Sequence, residues 1–340
     1  MTPSFQGAPR KRASMLLDPS SYARHPLHGE GVVWMEKNCY TDHWIELLHA
    51  NGLPPEAMLP FVIGIDFEGD QWTFFKPVLD ELRELYGARV NELTVWRPLV
   101  EHALEHLGSG RYIIADADAF WLPDTHGTDY RQKHSKTSIV LQAIDLESRQ
   151  LGYFHNAGYF MLSGEDFAQT FRLQAEAEDI YLPPYAEIVS FDAAGGCRTA
   201  DALRVQSRDL WRKHLRRAPG SNPVLRFAQH FARVLPQLQE RGLDHYNAWA
   251  FANIRQLGAA FELAAGSLHW LGREGQPECP DAAQAFSQIS NDAQRLIFLG
   301  ARAVASRRQL DPMAHLAAAA SHWESGIAAL RKHFGVTRGD

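Results

Sequence analysis

Cysteine is scarce in this chain. There are three, Cys39, Cys197 and Cys279, at no regular spacing among 340 residues. So sparse and odd a set excludes a disulfide framework and a thiolate zinc site. It suits a reducing compartment. Long apolar runs are also missing, which excludes a helix of the length a bilayer requires. An excess of positive charge is missing too: 34 Lys and Arg stand against 40 Asp and Glu, for a net charge of −6. Nonspecific binding to nucleic acid needs the opposite balance. The first fourteen residues are polar, carry Arg10-Lys11-Arg12 and run into no apolar segment. They read as a disordered tail, not a secretory leader. No repeat of fixed period is present. What is there is enough for a globular core, with 45% hydrophobic and 22% charged residues. The expectation is a cytoplasmic protein with no membrane and no nucleic-acid partner.

The chain divides by its periodicity. In the first half, strands and helices alternate. Residues 58–66 read as a buried strand, followed by a hairpin that turns at Glu68-Gly69-Asp70. A helix opens at Pro77, carries Leu79, Leu82, Leu85 and Tyr86 at helical spacing and ends at Gly87. Short strands are expected at 90–95, 111–120, 137–145, 150–156 and 159–162, with a helix over 97–107 and another opening at Ser163. From residue 166 the pattern turns helical. Helices are predicted over 166–178, 199–217, 222–240, 244–271, 281–305 and 311–334, separated by Pro and Gly. The fold class is α+β. The expected division is a tail at 1–14, a catalytic domain at 15–165 and an α-helical bundle at 166–340.

Chemistry concentrates at Glu36–Trp44, where Cys39 opens an amphipathic helix carrying Trp44, Leu47 and Leu48 on one face. A helix N-terminus presents unpaired N–H groups and the positive end of the macrodipole, which favour a reactive thiolate and an oxyanion. A cysteine alone is more often a small buried residue. Here His134 follows, ahead of an apolar strand, and Asn156 lies on the strand expected to pair with it. Cys, His and Asn in that order form the layout of papain-like thiol catalysis. The imidazole takes the thiol proton and returns it to the leaving group, and the amide orients the ring. His126 follows Pro-Asp-Thr and reads as a loop residue. His155 alternates with Asn156 and so points to the opposite face.

The pattern Cys39, Asp116-Ala117-Asp118, Leu122-Pro123, His126, His134 and Asp145 resembles the N-terminal domain of the butirosin-biosynthesis H-type acyltransferases. That resemblance spans residues 30–165 and implies a papain-like, bacteriocin-processing-peptidase-like fold. The motifs Asn38-Cys39-Tyr40, Asp66–Lys76, Leu122–Thr125 and Tyr153–Tyr159 resemble, over most of the chain, an uncharacterised proteobacterial family. Its members are found beside small carrier proteins and seryl-tRNA-synthetase-like amino acid:carrier-protein ligases. The resemblance implies aminoacyl transfer from a thioester on the 4′-phosphopantetheine of a carrier protein, with no cofactor bound by the chain itself. Cys39 would become acylated, His134 would act as base and then acid, and Asn156 would orient it. A carrier protein, and with it the ligase, would be the partners. Papain-like proteases place a glutamine a few residues before the cysteine, where this chain has Val33. Asn38, the Cys39 N–H or Gln71 then remain as oxyanion donors.

The acidic turn at Asp66, Glu68 and Asp70 with Gln71 is either a solvated hairpin tip or a seat for the ammonium of an aminoacyl group. Asp118, with Asp116, allows the same reading. Alternating acids without a His or Cys at ligand spacing make a weak metal site, and no metal is expected. Trp72 reads as core or pocket wall. Arg204, Arg208 and Arg212 share one helical face, which is either an ordinary solvated surface or a dock for the acidic helix of a carrier protein. Two rival functions stay open: a thiol hydrolase of the same fold, and a non-catalytic carrier-protein partner.

Overall fold

The computed structural model describes residues 12–173, 182–192, 195–196 and 199–337. Most of the expected tail, Cys197 and the end of the helix expected at 166–178 lie outside them. In chain order the strands are β1 (Arg12–Ala13), β2 (Phe67–Glu68), β3 (Gln71–Trp72), β4 (Ala88–Glu92), β5 (Tyr112–Asp118), β6 (Lys136–Asp145), β7 (Gln150–His155), β8 (Gly158–Ser163) and β9 (Ala186–Phe191). The helices are α1 (Cys39–Ala50), α2 (Leu79–Tyr86), α3 (Leu99–Leu107), α4 (Gly164–Thr170), α5 (Ala200–Arg216), α6 (Pro223–Arg241), α7 (Leu243–Leu271), α8 (Pro280–Ser306) and α9 (Pro312–Phe334). They fall into two compact units. One comprises residues 1–25, 42–53 and 82–196, and the other 26–41, 54–81 and 197–340.

The first unit is built on an antiparallel sheet in the order β4-β9-β5-β6-β7-β8, with β1 against the far end of β6. Ile113 sits opposite Leu141, and Val140 opposite Phe154. A bulge between Leu141 and Ala143 shifts the register of β6. One face buries Ile113, Ala115, Ile139, Leu141, Tyr153 and Leu162 against Leu99, Ala103 and Leu107 of α3 and Phe167 of α4. Each Ile, Leu or Phe side chain among them contributes about 1.5–3 kcal/mol on leaving water.

Two expectations are corrected here. Residues 12 and 13, expected in the tail, pair with Ile144 and Asp145. β9, inside the segment expected to be helical, hydrogen-bonds to both β4 and β5, so the sheet continues well past residue 165. The run AEIVSF is short and sits beside prolines, so periodicity could not tell it from a linker.

The second unit is helical. Its helices start and stop as capping chemistry dictates. Thr199, Asn222 and Asp311 accept hydrogen bonds from first-turn N–H groups of α5, α6 and α9, and Pro223, Pro280 and Pro312 occupy first-turn positions. Gly335 closes α9 in the left-handed conformation. The predicted helices 199–217, 222–240, 244–271, 281–305 and 311–334 match these five within two residues at each end. The β2–β3 hairpin turns at Gly69, at φ 65°, as expected.

The strand expected at 58–66 is instead a 3₁₀ helix, Pro55–Gly64, with Ala57 through Ile63 buried. A continuous apolar run carries no period. Pro55 and Pro60 lack the N–H that a central strand requires, and short 3₁₀ turns tolerate them. Among the described residues no helix is long and apolar enough to cross a membrane.

Candidate active site

The first unit holds an open cleft of about 710 Å³ where β5 meets the start of β6. Its walls include Asp116, Asp118, Trp121, His134, Ser135 and Lys136. The alternation of β5 and its pairing with β6 bring these groups together, since Asp118 stands opposite Lys136 in the ladder. His134 Nδ1 lies 2.6 Å from Asp118 Oδ2. A carboxylate only accepts, so Nδ1 carries the proton and Nε2 is left as the basic nitrogen. Asp118 is itself held in place: its other oxygen accepts from the N–H groups of Phe120 at 3.1 Å and Ser135 at 3.3 Å. The His134 ring stacks on Phe120 with centroids 4.2 Å apart, yet the side chain remains 69% exposed. Beside it Lys136 Nζ pairs with Asp116 Oδ1 at 3.1 Å.

Two of the expected site residues, Asp118 and His134, are thus neighbours, but in different roles. Asp118, expected to bind substrate, takes the nitrogen that Asn156 was expected to orient. Asn156 is not on a strand. It sits in the two-residue turn between β7 and β8, at φ 43°, a left-handed conformation that asparagine tolerates better than most residues. The strand ends one residue earlier than expected.

Cys39 is the first residue of α1 and is half-buried. Asn38, expected as a substrate or oxyanion contact, is the cap of that helix. Its Oδ1 accepts from Thr41 N at 2.8 Å and its Nδ2 donates to Phe75 O at 2.9 Å, in a buried position. Asp66 accepts from Phe67 N at 2.8 Å and ion-pairs with Arg226, so its charge is already met. Trp72 is core, edge-on to Phe67 with centroids 5.4 Å apart and packed on Phe227. Gln71 is exposed, as are Glu68 and Asp70 at the tip of that hairpin. The Arg204, Arg208, Arg212 face is a seam more than an open dock. Arg208 makes two bonds to Glu278, at 2.6 and 2.8 Å. Arg204 donates to Trp270 O at 3.2 Å, and Arg212 to Asp209 at 2.6 Å. Burial pushes the Cys279 thiol up, in keeping with a structural role.

A second polar cluster in the first unit was not anticipated. His155, 1% exposed, places Nδ1 2.5 Å from Asp124 Oδ2 and Nε2 2.8 Å from Thr137 Oγ1. The Tyr153 hydroxyl donates to the other Asp124 oxygen. Burial and the Asp124 charge keep that phenol protonated, far above its ordinary range. His43, on α1, is fully buried nearby. Burial, with the His155 imidazole adding to it, lowers its pKa to about 3, so it is neutral. Asp124 lay hidden in a loop motif and Thr137 in a strand, and the fold brings both to one imidazole.

The chain was compared with known proteins. No curated protein matches it. The DUF1839 N-terminal domain matches residues 23–191, which end where β9 ends, and the DUF1839 C-terminal domain matches residues 200–332, which begin with α5. Together they span most of the chain, and the protein is therefore a member of the DUF1839 family.

Proposed function

We propose that this protein is a cytoplasmic, cysteine-dependent acyltransferase of papain-like descent. It moves an aminoacyl group from the phosphopantetheine thioester of a small carrier protein to an acceptor nucleophile. Cys39 is the nucleophile; within the first unit His134 is a general base and acid, and Asp118, not Asn156, orients it. The observation that carries the reading is the 2.6 Å Asp118–His134 pair in an open cleft. It leaves Nε2 basic and accessible, which general-base chemistry requires. The assignment of Cys39 rests on its place in the first turn of α1 and on the motifs around it. A thioester exchanges onto a thiol with little change in bond energy. Asp116 is a candidate seat for the aminoacyl ammonium, in competition with Lys136. The second reading is a thiol hydrolase. The 69% exposure of His134 favours it, because water then reaches the base.

Intact-protein mass spectrometry tests both. The chain is mixed with a glycyl-loaded carrier protein. The expected result is one aminoacyl group on the wild type and none on Cys39→Ala, with His134→Ala and Asp118→Asn slowing adduct formation about 100-fold or more. Carrier unloading without an adduct or an acceptor would select the hydrolase. Neither unloading nor adduct, with several amino acids tried, would sink both and leave a non-catalytic carrier partner.

A further inference from the structure

We propose that Thr137 is a second nucleophile, activated by His155 and Asp124, and that it accepts acyl groups from activated esters and thioesters. This goes beyond the preceding function, because it needs neither Cys39 nor His134. The three groups form a continuous chain: hydroxyl to imidazole at 2.8 Å and imidazole to carboxylate at 2.5 Å. Asp124 can only accept, so His155 Nδ1 carries the proton and Nε2 accepts from the threonine hydroxyl. That is the tautomer and order a hydroxyl nucleophile needs.

The support around the chain is also that of a relay. Asp124 is 3% exposed, and its second oxygen is taken by Tyr153. The carboxylate is therefore fixed in orientation and satisfied. His155 is buried, so its bonds are little screened by water. Thr137 is half-exposed. Its cross-strand partner Ala117 and its neighbour Lys136 both line the open cleft.

The step balances. Thr137 Oγ attacks the carbonyl carbon of the donor while its proton passes to His155 Nε2. The new C–O bond forms as the bond from that carbon to the leaving sulfur or oxygen breaks. The imidazolium proton then goes to the leaving group, and Asp124 stays anionic throughout. The product is a threonine ester and a free thiol or alcohol.

The test uses the full-length Cys39→Ala chain, so that no thiol acylation at that position competes, with p-nitrophenyl acetate as the donor. The expected result is a burst of p-nitrophenolate and an acetyl group mapped by peptide mass spectrometry to Thr137. Thr137→Val, which removes the hydroxyl and keeps the shape, abolishes both, and Thr137→Ser restores them. His155→Asn and Asp124→Asn slow the burst about 100-fold. Should either of these fail to fold by circular dichroism, the Val and Ser variants still decide the matter. An acetyl group found only on lysines such as Lys136, or a Thr137 adduct whose rate ignores His155 and Asp124, overturns the proposal. The result is independent of whether Cys39 takes an aminoacyl group from a carrier.

Discussion

At the scale of single residues, two histidines with opposite environments have opposite consequences. His134 is exposed and paired with a carboxylate. His43 is buried and neutral, with a pKa lowered to about 3 from 6.5. Unfolding releases it to water, where it binds a proton below pH 6.5. The unfolded state therefore gains protons first as pH falls. Its contribution is fully present above about pH 6.5, erodes as pH drops and levels off near pH 3. At about pH 5 the loss amounts to roughly 2 kcal/mol. Urea titrations at pH 7 and 5 check this, with His43→Gln expected to show that much less acid sensitivity than wild type. Equal acid sensitivity in the two proteins would remove His43 as the cause. That His134 and Asp118 fall at strand ends beside apolar runs was legible in the sequence. Their partnership was not, because a spacing along the chain says nothing about which carboxylate faces which nitrogen.

At the scale of elements, capping and close approach decide the strain. Asn38 caps α1 through Thr41 N and ties it to Phe75 O. Asn38→Ala should cost about 1–2 kcal/mol in chemical denaturation. Gly258 on α7 is there for contact: an added Cβ would stand 2.4 Å from the Trp34 indole. That indole also donates to Ser290 at 3.0 Å, so it has little room to retreat. Gly258→Ala should destabilise the protein by about 1–3 kcal/mol, whereas an exposed Gly→Ala change within a helix is normally favourable. A neutral or stabilising Gly258→Ala would show that Trp34 moves freely.

At the scale of the whole molecule, the chain passes between its two units at 25/26, 41/42, 53/54, 81/82 and 196/197. Neither unit is a continuous segment. A truncation ending at residue 165 follows the boundary that periodicity suggested, and it removes β9 from between β4 and β5. It strips both strands of a hydrogen-bonding neighbour. Such a fragment should be unfolded or aggregated by circular dichroism and size-exclusion chromatography. A monomeric fragment with a cooperative melt would contradict the sheet order. Should an acidic carrier protein dock on the Arg204, Arg208, Arg212 face, it must compete with Asp201, Glu278 and Asp209. Arg212, 42% exposed, is the most available of the three. Arg212→Glu should then raise KM for the loaded carrier several-fold, more at low salt, and leave kcat unchanged.

The amino-acid sequence by itself determined the helices of the second half, because 3.6-residue periodicity, proline starts and glycine stops are local signals that each helix carries within itself. It also determined that Cys39 opens a helix, because a helix N-terminus is likewise a local event. Only the tertiary structure decided that residues 55–64 coil in place of extending, that β9 joins the sheet, that Asp118 holds His134, and that Asp124, His155 and Thr137 meet. These are outcomes of long-range pairing and burial. Hydrogen bonds between distant strands and the exclusion of water choose among partners that look equivalent along the chain.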